Sequence, residues 1–337
     1  MSKPSIICTI GPSSNTVPTL QELAEAGMTI ARLNFSHGDH RDHLNLIKNI
    51  RLASKKSGKQ ILIMQDLQGP KIRTGILKTN ITLKKNQKLK IYPSSKTDNS
   101  LPQNSLSINY PNLLKDLSSG ERILIDDGLI ELTITSIKKD HIVATNKSPG
   151  IISSKRGVNF PDSNLTIDPI TQKDRQDLEF GLKNNVDIVA ISFITNHSDI
   201  EKLRVLIDNP KVKICAKIER KAALPHLEKI TQKADIIMVA RGDLGTDIPL
   251  AEVPFVQKSI ISTANKLKKP VILATQILQS MIENPIPTRA EIADATQGIL
   301  DGANYLMLSN ESAIGKHPVK SAKILASVIK TTQQHLL

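Results

Sequence analysis

Short apolar runs recur along the chain, each followed by a stretch in which apolar residues return at helical spacing. Eight of them read as strands: SIICTI (5 to 10), MTIARL (28 to 33), ILIMQD (61 to 66), DIVAIS (187 to 192), VKICAK (212 to 217), DIIMVA (235 to 240), PVILAT (270 to 275) and YLMLS (305 to 309). The intervening stretches, among them TLQELAEAG, HLNLIKNIRLASKKSG, TQKDRQDLEFGLKNN, SDIEKLRVLID, PFVQKSIISTANKLKK and the final AKILASVIKTTQQHLL, carry helical periodicity, and several close on Gly or Asn. Strands this apolar are buried on both faces, so the alternation predicts an α/β fold, a parallel (β/α)8 barrel. An open doubly wound sheet is the competing architecture, and the absence of GxGxxG after the first strand stands against it.

One region breaks the pattern. From about residue 71 to 157 helical periodicity gives way to short β-like segments, ITLKKNQKLKIY, RILIDDGLIELTITSI and HIVATN, separated by turns. The expectation is a barrel built from residues 1–70 and 158–337, with an all-β lid domain at 71–157 inserted after strand three. Such a lid would sit on the rim where these barrels carry chemistry and would exclude water on closing.

Composition narrows the partners. The formal charge of +13 favours anions, which include nucleic acid, acidic membranes and phosphorylated metabolites. Aromatics make up 2% with no Trp, leaving little material for base stacking, and the lysines are dispersed, so no nucleic-acid partner is expected. No apolar run approaches the ~18 to 20 residues of a membrane helix, and the N-terminus lacks a signal peptide's pattern; a cytoplasmic protein without a membrane partner is expected. Cys8 and Cys215 lie inside apolar runs and read as buried thiols.

In a barrel of this kind the C-terminal strand ends hold the functional residues. Strand one leads to Gly11 and Pro12; strand two delivers Arg32, Asn34, Ser36 and His37; strand three ends in Asp66 and leads to Lys71 and Arg73. Strand five presents Lys217 and Glu219, strand six Arg241, Gly242 and Asp243, strand seven Thr275 and Gln276, and strand eight Ser309 and Glu311. Glu219 and Asp243 are hard-oxygen ligands suited to Mg²⁺, with Mn²⁺ as an alternative, because Mg²⁺ takes one or two carboxylates and fills its octahedron with water and substrate oxygens. Arg32, Arg73 and Lys217 would surround that ion with the positive charge that phosphoryl transfer needs. Gly242 admits close approach of a ligand to the backbone, and DLGTDIP, a loop or short helix start, could cradle a carboxylate. Each residue also has a plain structural reading, as an ion pair, a helix cap or a bonded hydroxyl; convergence on one rim favours the functional one. The histidines of SHGDHRDH fit a zinc site poorly and have no thiol beside them.

The segments CTIGPSS, GMTIARLNFSHGDH, DLQGPKIRTG, IDDGLIEL, RGVNFPD, KDRQDLEFG, VARGDLGTDIPL, KPVILATQILQSMI and PTRAEIADATQGILDGANYLMLSNES resemble, in order and over nearly the whole chain, those of the pyruvate kinase family. The resemblance implies Mg²⁺-dependent phosphoryl transfer from phosphoenolpyruvate to ADP, giving pyruvate and ATP at the last step of glycolysis. By position, Lys217 would neutralise the moving phosphoryl group, Glu219 and Asp243 would ligate Mg²⁺, and Arg32 and Arg73 would contact phosphate. Gly242, Asp243 and Thr275 would hold the substrate carboxylate, with Thr275 near the carbon that takes a proton. Arg73, Arg156, Pro12 and His37 would adjoin the nucleotide, Arg156 standing where a lysine is usual.

Most relatives hold K⁺ with residues matching Asn34, Ser36, Asp66 and the Leu67 carbonyl, and carry Glu where this chain has Lys71. The lysine resembles the branch that works without a monovalent cation, since an ammonium supplies the charge of K⁺ from a flexible stem. K⁺ is therefore expected not to be required. The C-terminal regulatory domain usual in the family is expected to be absent, with no regulation through it, and a homodimer through the barrel is expected. Two rivals stand beside this reading: a Mg²⁺-dependent lyase acting on phosphoenolpyruvate or pyruvate, which needs no nucleotide-contacting lid, and an inactive basic binding protein.

Overall fold

A computed structural model describes residues 4–93, 101–102 and 104–336. Eight parallel strands close on themselves: β1 (Ser5–Thr9), β2 (Met28–Asn34), β3 (Leu62–Asp66), β4 (Ile188–Ile191), β5 (Lys213–Ile218), β6 (Ile236–Ala240), β7 (Val271–Ala274) and β8 (Tyr305–Leu308). The order around the ring is β1-β8-β7-β6-β5-β4-β3-β2, with β1 and β8 joined in register Ser5↔Tyr305 to Cys8↔Leu308. This is the (β/α)8 barrel that the apolar runs predict. Each run sits within a residue or two of its strand because both strand faces are buried, one against helices and one in the barrel interior.

The interior is packed by Ile7, Ile30, Met64, Ala190, Cys215, Met238, Ile272 and Met307 among others. Both cysteines are free and fully buried, and burial pushes both thiols well up from their ordinary value. Side-chain caps fix the starts of several helices. Asp39 and Thr171 make reciprocal capping boxes with Asp42 and Asp174 ahead of His40–Ser57 and Gln172–Lys183, and Thr288 does so with Glu291 ahead of Arg289–Asp301. These boxes set where each helix begins and so how far each strand runs before its rim loop.

Contacts divide the chain into two compact units, one holding the barrel strands and the other Pro70–Asp168 with Asp243–Leu250. The second unit carries a six-stranded sheet in the order Val158–Asn159, Arg122–Ile125, Ile130–Ile137, Ile142–Asn146, Lys88–Pro93, Ser105–Ile108, and a two-stranded sheet of Gly150–Ile152 with Ile81–Leu83. It has its own core, including Ile91, Leu106, Tyr110, Ile123, Leu132 and Phe160. Its hairpin turn at Asp126, Asp127 and Gly128 takes three consecutive left-handed residues, which is why IDDGL reads as a turn between two strands. Among the described residues no helix is long and apolar enough to cross a membrane.

Candidate active site

β2, β3 and β5 bring charge together at the C-terminal rim of the barrel. Arg32 donates from Nε to Asp66 Oδ2 at 2.8 Å and from Nη1 to Thr9 Oγ1 at 2.9 Å. Lys217 Nζ lies 3.2 Å from Asp66 Oδ1 and 3.3 Å from Glu219 Oε2, and donates to Ser192 Oγ at 2.7 Å. Ser192 Oγ in turn donates to the Leu67 carbonyl at 2.8 Å. Asp66 and Glu219 are 1% and 0% exposed, so these are buried anions held between two cations. Burial works to raise the Asp66 pKa, but the Lys217 ammonium and the Arg32 guanidinium outweigh it and hold the carboxyl below its ordinary value.

The rim is also strained. Phe193, just past β4, has φ 58°, and its amide donates to Glu219 Oε1 at 2.7 Å. Thr275 and Gln276, just past β7, have φ 67° and 54°. Backbone of this kind in non-glycine residues costs on the order of 1 kcal/mol or more each and persists where surrounding contacts enforce it. Arg241 is the enforcing contact at β7: it donates to the Thr275 carbonyl at 2.6 Å and is anchored on Asp294 at 2.7 Å. Gly242 lies beside this turn. A Cβ added there would stand 3.5 Å from Thr275 Cγ2, an ordinary contact, so the barrel itself does not demand glycine at 242.

Other rim residues gather around a cavity of about 930 Å³ whose walls include Gly11, Pro12, Arg32, Asn34 and His37. Asn34 Oδ1 accepts the Ser36 amide at 3.1 Å. Two of the SHGDHRDH histidines are structural: His43 stacks on Phe35 with ring centroids 3.8 Å apart, its Nε2 bonded to the His37 carbonyl at 2.9 Å, and His40 pairs with Asp177 at 2.8 Å. Burial lowers the His43 pKa. Among the described residues no group of three or more His, Cys, Asp or Glu is placed to hold a metal.

In the all-β unit Arg73 and Arg156 share one edge. Arg73 bridges antiparallel to Gly157 and donates from Nη1 to the Lys155 carbonyl at 2.8 Å, while the Arg156 amide donates to Thr74 Oγ1 at 2.8 Å. The Lys71 carbonyl accepts from Asn109 Nδ2 at 3.1 Å. Asp243 stands in the first turn of a helix, Arg241–Asp247, where the sequence suggests a loop or short helix start.

Several contributors escape a sequence reading. Ser192 and Arg241 are visible at strand ends, yet nothing local shows that one bonds Lys217 and the other braces Thr275. Glu311, a rim acid by position, is committed to the amides of Leu278 at 3.0 Å and Ser309 at 2.8 Å.

A closed parallel barrel with buried acids and cations at its C-terminal rim, and a separately cored β unit inserted after its third strand, belongs with the (β/α)8 barrels that work at that rim. The chain belongs to the pyruvate kinase family: the model of the pyruvate kinase barrel domain matches residues 1–322. It is 44% identical over 340 residues to a pyruvate kinase of Geobacillus stearothermophilus, covering 99% of this chain and 57% of that one, and 39% identical over 333 residues to one of Mycobacterium tuberculosis, covering 98% and 70%. A crystal structure of a pyruvate kinase from Cryptosporidium parvum superimposes with a TM-score of 0.94 at 38% identity, over 98% of this chain and 69% of that one. The chain thus spans somewhat over half the length of the first of these relatives, 57%.

Proposed function

We propose that this chain transfers the phosphoryl group of phosphoenolpyruvate to ADP with Mg²⁺, giving pyruvate and ATP. The observation that carries the reading is the buried Arg32–Asp66–Lys217–Glu219 network, with Lys217 Nζ 3.2 Å from Asp66 and 3.3 Å from Glu219. In the transfer the bond from phosphorus to the enol oxygen breaks, a bond to a terminal oxygen of ADP forms, and the enolate takes a proton at its terminal carbon. Lys217 and Arg32 hold fixed positive charge where negative charge gathers on the moving phosphoryl oxygens, at no cost of reorganisation during the step. Gly242, Asp243 and Thr275 hold the substrate carboxylate, and the Thr275 turn lies near the carbon that is protonated. By the family resemblance Arg73 and Arg156 of the all-β unit, and Pro12 and His37 of the barrel, are the residues assigned to the nucleotide.

Glu219 and Asp243 would hold the divalent ion. The donor set fits it: two hard carboxylates without thiol or imidazole, Glu219 fully buried and fixed through Oε1 by the Phe193 amide at 2.7 Å. The ion, when bound, neutralises phosphoryl and carboxylate oxygens.

The reading includes independence from K⁺, with Lys71 supplying the monovalent charge. Consistent with this, Asp66, the Leu67 carbonyl and Asn34 Oδ1 already accept from Lys217 and Arg32, from Ser192, and from the Ser36 amide. It also includes a homodimer formed through the barrel, acting in the cytoplasm.

A coupled assay with phosphoenolpyruvate, ADP and Mg²⁺ tests the proposal. Pyruvate should form only with ADP present, and Lys217→Met should lose about 3 to 4 kcal/mol of transition-state stabilisation. Failure of ADP-dependent pyruvate formation overturns the activity, a rate rising many-fold with K⁺ overturns the cation reading, and a tetramer by light scattering overturns the dimer.

A further inference from the structure

One barrel strand sends a lysine to each mouth. Side chains alternate along a strand, so Lys213, Cys215 and Lys217 of β5 share its inward face, and Cys215 is part of the interior core. Lys217 enters the C-terminal network described above. Lys213 sits at the N-terminal end of the same row, exposed, and lines a cavity of about 510 Å³ at the opposite mouth. The floor of that cavity is apolar, made by Ile30, Leu62, Ile188, Ile236 and Tyr305. Its rim carries four lysines, Lys211, Lys213, Lys268 and Lys269.

Two carboxylates also line it, and both are spent. Asp187 Oδ2 accepts from Arg51 at 2.9 Å and from the Ile63 amide at 2.7 Å. Asp235 Oδ2 accepts from Arg204 and from the Ile214 amide at 2.7 Å. Lys269 donates to the Ala234 carbonyl at 2.7 Å, a neutral partner that leaves its charge in place. Lys211, Lys213 and Lys268 form no ion pair among the described residues. Four lysines therefore line one concave, apolar-floored cavity whose two carboxylates are each already paired with an arginine.

Lys268 adds a conformational observation. It ends the helix Val253–Lys266 with φ 57°, its amide on the Asn265 carbonyl at 3.0 Å and that of Lys269 on the Ala264 carbonyl at 2.9 Å. Glycine is the residue that takes this left-handed position without strain. A lysine there keeps a charge on the cavity rim at a cost to the fold.

We propose that the N-terminal mouth of the barrel binds a small phosphorylated molecule with an apolar body, its phosphate on the lysine rim and its body on the Ile30–Leu62–Ile188–Ile236–Tyr305 floor. The fit is chemical: clustered ammonium groups match a dianion, and the floor supplies apolar area that inorganic phosphate alone cannot use. The site stands apart from the transfer reaction and does not depend on it.

The test titrates this chain with phenyl phosphate and with inorganic phosphate by calorimetry at low ionic strength, in a Lys217→Met background that weakens anion binding at the other mouth. Phenyl phosphate should bind, more tightly than inorganic phosphate, and added salt should weaken it. Lys213→Gln and Lys268→Gly should each raise its Kd about tenfold, the scale of one charge-assisted contact. Lys268→Gly should do so without lowering the unliganded Tm, which a purely structural lysine would not predict. Should Lys213→Gln fail to fold, Lys211→Gln, a change at another exposed rim lysine, decides in its place. The proposal is overturned if phenyl phosphate does not bind, if inorganic phosphate binds as tightly, or if these lysine variants leave its affinity unchanged.

Discussion

The Lys217 ammonium donates to the Ser192 hydroxyl over 2.7 Å, and that hydroxyl in turn donates a hydrogen bond to the Leu67 carbonyl at 2.8 Å. The serine thus fixes the direction in which Lys217 points while leaving its charge whole. Ser192→Ala should lower kcat about ten- to hundredfold, the worth of one hydrogen bond to a charged group, with a smaller change in KM. Ser192→Thr should recover much of the loss. Steady-state kinetics with phosphoenolpyruvate and ADP distinguishes this from a structural role, which would move Tm and leave kcat near wild type.

Asp66 balances two buried cations. Asp66→Asn should destabilise the barrel by about 3 to 5 kcal/mol at neutral pH, because Arg32 and Lys217 lose the anion that compensates their burial. The pH dependence follows from the lowered folded-state pKa. Above the unfolded value, about 3.9 for Asp, the stabilisation is complete; as pH falls from there through the lower folded value it is lost. Urea unfolding of wild type and variant should therefore diverge at neutral pH and converge in that acid window.

Gly242 is free of packing demands within the barrel. Gly242→Ala should change the unfolding free energy by less than about 1 kcal/mol, as helix propensity favours Ala, and yet, on the proposal that the substrate carboxylate approaches this backbone, reduce kcat/KM strongly. Unchanged kinetics would remove Gly242 from the substrate site.

Arg241 holds the left-handed pair Thr275 and Gln276 through the Thr275 carbonyl at 2.6 Å. Arg241→Met should release that turn and lower kcat about tenfold or more while Kd for nucleotide stays close to wild type. Gln276→Gly should relieve strain and raise Tm, a shift worth about 0.5 to 1 kcal/mol. A fall in Tm for Gln276→Gly would show that its side chain, and not its backbone, matters at that turn.

The eight barrel strands were legible because burial on both faces writes them as continuous apolar runs, from SIICTI at β1 to YLMLS at β8. The candidate site was legible in the same way, as polar residues clustered where those runs end. Less legible were side chains whose meaning depends on a distant partner. Ser192 is an ordinary serine after DIVAI until Lys217 is placed beside it, and Glu311 is a rim acid until its carboxylate is found on the Leu278 and Ser309 amides. The helix at Arg241–Asp247 was hard to read because two of its seven residues are glycine, which weakens helical propensity.

By itself the sequence determined the period of the chain, and with it the barrel and the rim on which Arg32, Asp66, Lys217 and Glu219 fall, because periodic burial is a local property that each segment records. Tertiary structure decided which charges meet: that Asp66 lies between Arg32 and Lys217, that Asp187 and Asp235 are spent on arginines, and that Lys213 and Lys217 reach opposite mouths of one barrel. Electrostatic interaction falls with distance in space and not along the chain, so only closure of the ring could settle those pairings.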